Sequence, residues 1–140
     1  MSKSAELSGQ LGSELFKKAA ALSFNAITVT RAEHEGEPSE IVYVNDAFTE
    51  MTGYAARDVM GKTPGMLQGP KTDPEVLERL DRKIHKGETF HGETINYRKD
   101  GSPFVIEWKV APIMQKGGKT YYVAVQRDVT DQRDVQVEAE

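Results

Sequence analysis

The chain has 140 residues, 38% of them hydrophobic and 29% charged, which is room for one domain of ordinary globular composition and excludes a collagen, a low-complexity chain or disorder throughout. A formal net charge of -4 argues against nucleic acid as the main partner, because neutralising phosphates needs a basic surface. No apolar run approaches the roughly 20 residues of a membrane span, and the N-terminal MSKSAELSGQ lacks the apolar core of a secretory signal, so no membrane contact and a cytoplasmic location are expected.

Residues 1–22 read as an amphipathic N-terminal helix. Leu7, Leu11, Leu15 and Leu22 recur at helical spacing, Phe16 and Ala19 widen the stripe, and Gly9 and Gly12 weaken the first turns. One helix cannot bury that stripe alone, so it must pack on the domain or on a second copy. A domain over 23–130 follows. The β-branched AITVT at 26–30 and IVYV at 41–44 predict two strands, with a polar loop over 33–40 between them. Asn45 suits the N-cap of a short helix over 46–52 that Gly53 ends in a left-handed turn. A second short helix is expected from Ala55 to Met60, stopped by Gly61.

Asp73 and Pro74 open the strongest helix signal, 74–86, with Leu77, Leu80 and Ile84 as its buried stripe and Gly87 as its stop. Strands are expected at 89–98, 103–114 and 119–128, joined by turns at Asp100-Gly101 and Gly117-Gly118. The class is therefore α+β, a five-stranded antiparallel sheet with short helices on one face. Residues 131–140 are charged and read as the start of a C-terminal connector helix.

Alternation assigns faces. Phe104, Ile106, Trp108, Val110 and Pro112 share the apolar, inward side of their strand. Tyr122, Ala124 and Gln126 oppose Tyr121, Val123, Val125 and Arg127. Both of those sets are partly apolar, so something covers the outer face as well, and the N-terminal helix is the candidate. For 89–98 the pattern does not choose between Gly92, Thr94 and Asn96 on one side and His91, Glu93, Ile95 and Tyr97 on the other.

The chain has no cysteine, which excludes disulfides, thiolate metal sites and any cysteinyl linkage to a cofactor. His34, His85 and His91 lie in separate segments without paired ligand spacing, so no metal site is expected. The basic cluster Arg79, Arg82, Lys83 and Lys86 reads as a solvated helix face. Glu93 and Glu107 have no nucleophile to serve, and no catalytic arrangement is evident, so no enzyme is expected. The polar groups that stand out are Gln68, Asn96 and Gln126. Aimed into one cavity, they suit a polar ligand; at strand ends they bond backbone or water.

The pieces YVNDAF at 43–48, TGY at 52–54, GKTP at 61–64, NYRKDGSPF at 96–104 and RDVT at 127–130 resemble the PAS sensor family over about residues 24–130. GKTPGMLQGPKTDPE at 61–75, followed by INYRKDG, is similar to the flavin-binding light-oxygen-voltage (LOV) branch. That resemblance implies a PAS fold and a flavin bound by Gln68, Asn96 and Gln126, with Phe48, Leu67, Leu77, Leu80, Val110, Tyr122 and its neighbour Ala124 as apolar wall. It also marks departures. Pro64 stands at the photoreactive cysteine, Thr63 at the asparagine before it and Ile106 at a second flavin-facing asparagine. Trp108 replaces a smaller aromatic, and Gly65 and Asp81 stand at the two phosphate-binding arginines.

GKTP and FHGE at 90–93 are similar to the PAS domains of redox and aerotaxis sensors, which hold FAD. The resemblance therefore implies a flavin, with FAD ahead of FMN, sensing light or redox state without a cysteinyl adduct. The expected assembly is a homodimer through the N-terminal helix and the outer sheet face, coupled to a downstream effector domain or a partner protein. The alternatives are a ligand-free PAS interaction module and a PAS domain for another small ligand such as haem, with His85 as the conceivable iron ligand.

Overall fold

The computed structural model describes residues 2–34, 37–114 and 119–133. In chain order it contains α1 (Ser2–Leu22), β1 (Ala26–Ala32), β2 (Glu40–Val44), α2 (Asp46–Thr52), α3 (Ala56–Val59), a 3-10 turn (Pro64–Leu67), α4 (Pro74–His85), β3 (Phe90–Tyr97), β4 (Pro103–Met114), β5 (Thr120–Asp128) and a second 3-10 turn (Thr130–Arg133). The five strands form one antiparallel sheet in the order β2-β1-β5-β4-β3. The first and last strands of the chain are thus neighbours at the centre, and the segment from α2 to α4 crosses one face.

The local signals behave as their chemistry requires. Asn45 caps α2 by accepting from Phe48 N, and Gly53 closes that helix at φ 80°. Asp73 caps α4 by accepting from Glu75 N, with Pro74 in the first turn. Gly87 and Gly101 take the positive φ that their turns need. The turn at Gly117-Gly118 and the connector beyond Arg133 lie outside the described residues.

Two apolar clusters lie under the helices. One joins Ala26, Ile41, Val44, Phe48, Val59 and Leu67; the other joins Phe90, Phe104, Ile106, Trp108 and Val110, and Met51 packs on both. Two expectations need correction. No residue of α4 is fully buried: Val76, Leu80 and Ile84 pack on the second cluster, but like Leu77 they stay half-buried. The sheet residues it packs on are nonetheless buried, Phe90 at 0% and Ile106 at 1% exposure.

The second correction concerns α1 as the cover of the outer face, since within one chain its described leucines do not pack on the domain. Leu15 and Leu22 are 61% and 72% exposed, and the helix instead seats Ala20, 1% exposed, and sets Phe16 edge-on to Tyr43 of β2 with ring centroids 5.6 Å apart. Ala20 lies one turn after Phe16, so those two, rather than the leucines, share the contacting face. The side chains of Leu7 and Leu11 lie outside the described ones. The outer face of the sheet stays open, with Ile113 45% and Val125 39% exposed.

Candidate functional site

The inner face of the sheet opposite α4 gathers most of the expected residues. Ile106, Trp108 and Val110 of β4 form its floor, Tyr122 and Ala124 of β5 continue it, and Leu80 of α4 faces them. On β3 the inward side is Phe90, Gly92, Thr94 and Asn96, the choice that alternation leaves open. Phe90 is fully buried and Thr94 is 7% exposed. Thr94 is inward because its hydroxyl accepts from Asp73 N, while Thr72 donates to Ile95 O; together they seam the start of α4 onto the sheet edge.

Two amides point into this region. Gln126 is 7% exposed, and its Oε1 accepts from the Thr28 hydroxyl at 2.9 Å. Asn96 Oδ1 is buried and has no hydrogen-bond partner among the described residues. A buried carbonyl left unpaired costs about 1–3 kcal/mol, so it is the kind of group a ligand donor would satisfy. The surrounding surface is apolar, as a small-molecule site usually is.

Other expected residues sit elsewhere. Phe48 and Leu67 belong to the first apolar cluster, and Leu77 packs in neither. Thr63, Pro64 and Gln68 are exposed around the 3-10 turn, so Gln68 does not join Gln126 and the Asn96 Oδ1 atom in burial. His85 is also exposed, with Nδ1 2.7 Å from the Asp81 carbonyl, outside the apolar clusters. A cavity of about 670 Å³ is lined by apolar Ala32, Ile84, Pro112 and Tyr122 and by polar residues that include Glu37, Asp81, His85 and Lys86.

Sequence reasoning missed three residues. Thr28 is one. Arg79 is the second: its guanidinium lies 4.9 Å over the Phe90 ring and donates to His91 O, so part of the basic cluster serves packing. Asn45 is the third, because its cap role is only part of its bonding. The first two needed strand order and helix placement, neither of which a local pattern carries.

The outer face is charged. Glu107 accepts from Arg127 at 2.6 Å and lies 2.7 Å from His91 Nε2; these bonds, His91 first, hold its carboxyl below the usual range. Glu93 pairs with Arg133. At the end of β5, burial pushes the Asp128 carboxyl up, but hydrogen bonds from Thr130 and Arg98 outweigh it and hold the group low. Thr130 also accepts from Val105 N, which ties the exit of the sheet to β4. Among the described residues no cluster of His, Asp and Glu suits a metal ion, and no helix is long and apolar enough to cross a membrane.

A family profile described as a PAS domain matches residues 25–131. A blue-light photoreceptor of Listeria monocytogenes is 35% identical over 120 residues, 86% of this chain and 47% of that protein. The chain spans about half the length of the Listeria relatives it matches. Among solved structures, the LOV domain of a blue-light activated histidine kinase from Erythrobacter litoralis superposes with a TM-score of 0.66 at 36% identity, covering 74% of this chain and 94% of that one. A light-oxygen-voltage domain whose mechanism was probed with a flavin analogue superposes with a TM-score of 0.73 at 30% identity, covering 87% of this chain and 90% of that one.

Proposed function

The chain belongs to the PAS domain family and is LOV-like within it, and from that premise we propose a sensory module that holds a flavin without a covalent bond and responds to light or redox state. The observation that carries this reading is the unpartnered Asn96 Oδ1 on the inner face of the sheet. Asn96 Oδ1 accepts an N–H from the pyrimidine edge of the ring, and Gln126 offers its amide nitrogen to a ring acceptor. Ile106, Val110, Ala124 and Leu80 supply apolar contact and exclude water. When bound, a flavin supplies blue-light absorption and reversible electron transfer.

Pro64 occupies the photoreactive position, and the chain has no thiol anywhere. Blue light is therefore expected to leave no cysteinyl adduct in the purified protein. The check is an absorption spectrum before and after illumination. A flavin band without adduct bleaching supports the reading, a reversible adduct spectrum overturns its adduct-free part, a Soret band points to haem, and no chromophore points to the interaction module. FAD stays ahead of FMN on Gly65 and Asp81 alone, since neither offers a cation and Asp81 is among the residues that line the cavity. Chromatography of the released flavin decides that point.

Replacing Asn96 with leucine is expected to weaken flavin retention by about 1–2 kcal/mol, because the ring N–H loses its acceptor inside an apolar site. Equal flavin content in a folded Asn96→Leu protein would remove Asn96 from the contact set.

Assembly belongs to the same reading. Leu15, Leu22 and the fully exposed Phe24 on one side, and Ile113 and Val125 on the other, are apolar surfaces that a second copy supplies with each other. Sedimentation equilibrium on the full chain should show a dimer, and the double substitution Leu15→Glu, Leu22→Glu should shift it to monomer. A monomeric parent chain defeats the dimer. An effector domain or partner protein takes its signal from the Arg98–Asp128–Thr130 lock at the sheet exit.

A further inference from the structure

We propose that Phe24 is an anchor whose ring enters a groove on the outer sheet face of a second copy of the chain, where the guanidinium of Arg127 receives it. The proposal rests on the dimer reading and names the contact that makes it.

Phe24 stands out by what holds it. Its side chain is fully exposed, yet the turn that carries it is fastened on both sides. Asn45 Nδ2 donates to Ala20 O at 2.7 Å and to Asn25 O at 3.0 Å. Ser23 N donates to Ala20 O, and the Ser23 hydroxyl donates to Asn25 O. A loose chain end can fold an apolar ring back onto its own domain, whereas this turn holds the ring out in water. A ring on a rigid support has little left to lose on docking, and aromatic anchors of this kind carry most of the energy of an interface.

The receiving groove lies beside that turn. A cavity of about 350 Å³ on the outer face has Asn25, His91, Glu107, Lys109, Val125 and Arg127 in its lining. Val125 gives it an exposed apolar surface. Lys109 and Arg127 bring two cations against the one carboxylate of Glu107, so the groove is electrostatically suited to the negative face of an aromatic ring. Arg127 is also fixed in place. Its Nε donates to Glu107 Oε1 at 2.6 Å, while its side chain stays 60% exposed. A guanidinium held flat in this way is a plate on which a ring can stack. Arg79 and Arg98 each lie 4.9 Å over a ring of their own chain, Phe90 and Phe104. Among the described residues no ring is placed over Arg127 in the same manner.

The position of Asn25 points to a second copy as the occupant. It follows Phe24 in the chain and lines the groove, so the ring and its receiver are neighbours on one surface. A two-fold axis through that surface brings each Phe24 to the partner's groove at once, which makes the patch self-complementary and closes the assembly at two. A partner that filled only the groove would leave both Phe24 rings in water.

The test is sedimentation equilibrium on the full chain. Phe24→Ala is expected to raise the dimer Kd at least about thirty-fold, the effect of removing a hot-spot side chain. Arg127→Ala should raise it about ten-fold. In a Phe24→Ala background the same Arg127→Ala change should move Kd by less than about two-fold, because the contact it removes is already gone. A parent dimer that Phe24→Ala weakens by less than about five-fold overturns the anchor while the dimer reading stands. Equal Arg127→Ala factors in both backgrounds overturn the groove as its receiver. A parent chain that stays monomeric overturns the anchor and the dimer reading together, and leaves the groove to another partner.

A second readout reports the contact itself. Ring currents from the docked Phe24 should move the Val125 methyl proton resonances upfield as the parent chain is concentrated, and Phe24→Leu should abolish that shift. A parent dimer without it overturns the proposal.

Discussion

Replacing Phe90 with alanine is expected to destabilise the protein by about 3–5 kcal/mol, the range for deleting a fully buried phenyl ring. Phe90 has no exposed surface and lies against Trp108 with ring centroids 5.0 Å apart and planes tilted by 54°. The guanidinium of Arg79 covers its other side at 4.9 Å. Neighbouring Gly92 makes room for the ring: a Cβ there would sit 2.5 Å from Phe90 Cζ. The truncated site has few ways to collapse, because Trp108 is held by the sheet and Arg79 by its bond to His91 O. Phe90→Leu should recover more than half of the loss. Urea unfolding of both variants checks this, and a Phe90→Ala midpoint close to the parent's would show that α4 settles into the gap.

Asn45→Ala is expected to cost about 2 kcal/mol, more than the ~1 kcal/mol of an ordinary helix cap, because Ile27 N also loses its acceptor. Its Oδ1 accepts from Phe48 N at 3.1 Å and from Ile27 N at 2.9 Å. Its Nδ2 donates to Ala20 O at 2.7 Å and to Asn25 O at 3.0 Å. One side chain, 5% exposed, thus joins the end of α1, the start of β1 and the start of α2. Alanine would leave Ile27 N without this acceptor, while Phe48 N keeps the backbone carbonyl of residue 45, and Ala20 O and Asn25 O keep Ser23 as a donor. Asn45→Asp keeps the acceptor and loses the donor, so it should fall between the two. Urea midpoints rank the three proteins, and hydrogen exchange at Ile27 and Phe48 should quicken in Asn45→Ala alone. A loss under about 0.5 kcal/mol, typical of a surface change, would mean that water replaces the asparagine.

These two residues also mark how far a one-dimensional reading reaches. Asn45 is legible as a cap because capping is local: a short polar side chain before a helical run has one use. Phe90 is only one apolar residue at a strand start until Trp108, Arg79 and Gly92 are placed around it. The same division holds in the candidate site. Ile106, Trp108 and Val110 could be assigned inward from their alternation. Asn96 and Thr94 could not, because their strand alternates without a clear apolar side.

The amino-acid order alone determined the element types, the caps at Asn45 and Asp73, the turn at Asp100-Gly101, the inward face of β4 and the absence of any thiol. Each follows from a side chain and its near neighbours, where backbone geometry fixes what can touch what. The tertiary structure decided the rest: β1 beside β5, Phe16 and Ala20 rather than the leucines as the seat of α1, Gln68 on the surface, Asn96 Oδ1 without a partner, and Thr28 bonded to Gln126. The reason is physical. A hydrogen bond or a packed ring between residues far apart in sequence depends on the register of both strands and the lie of the helix above them. Neither partner's local pattern contains that information.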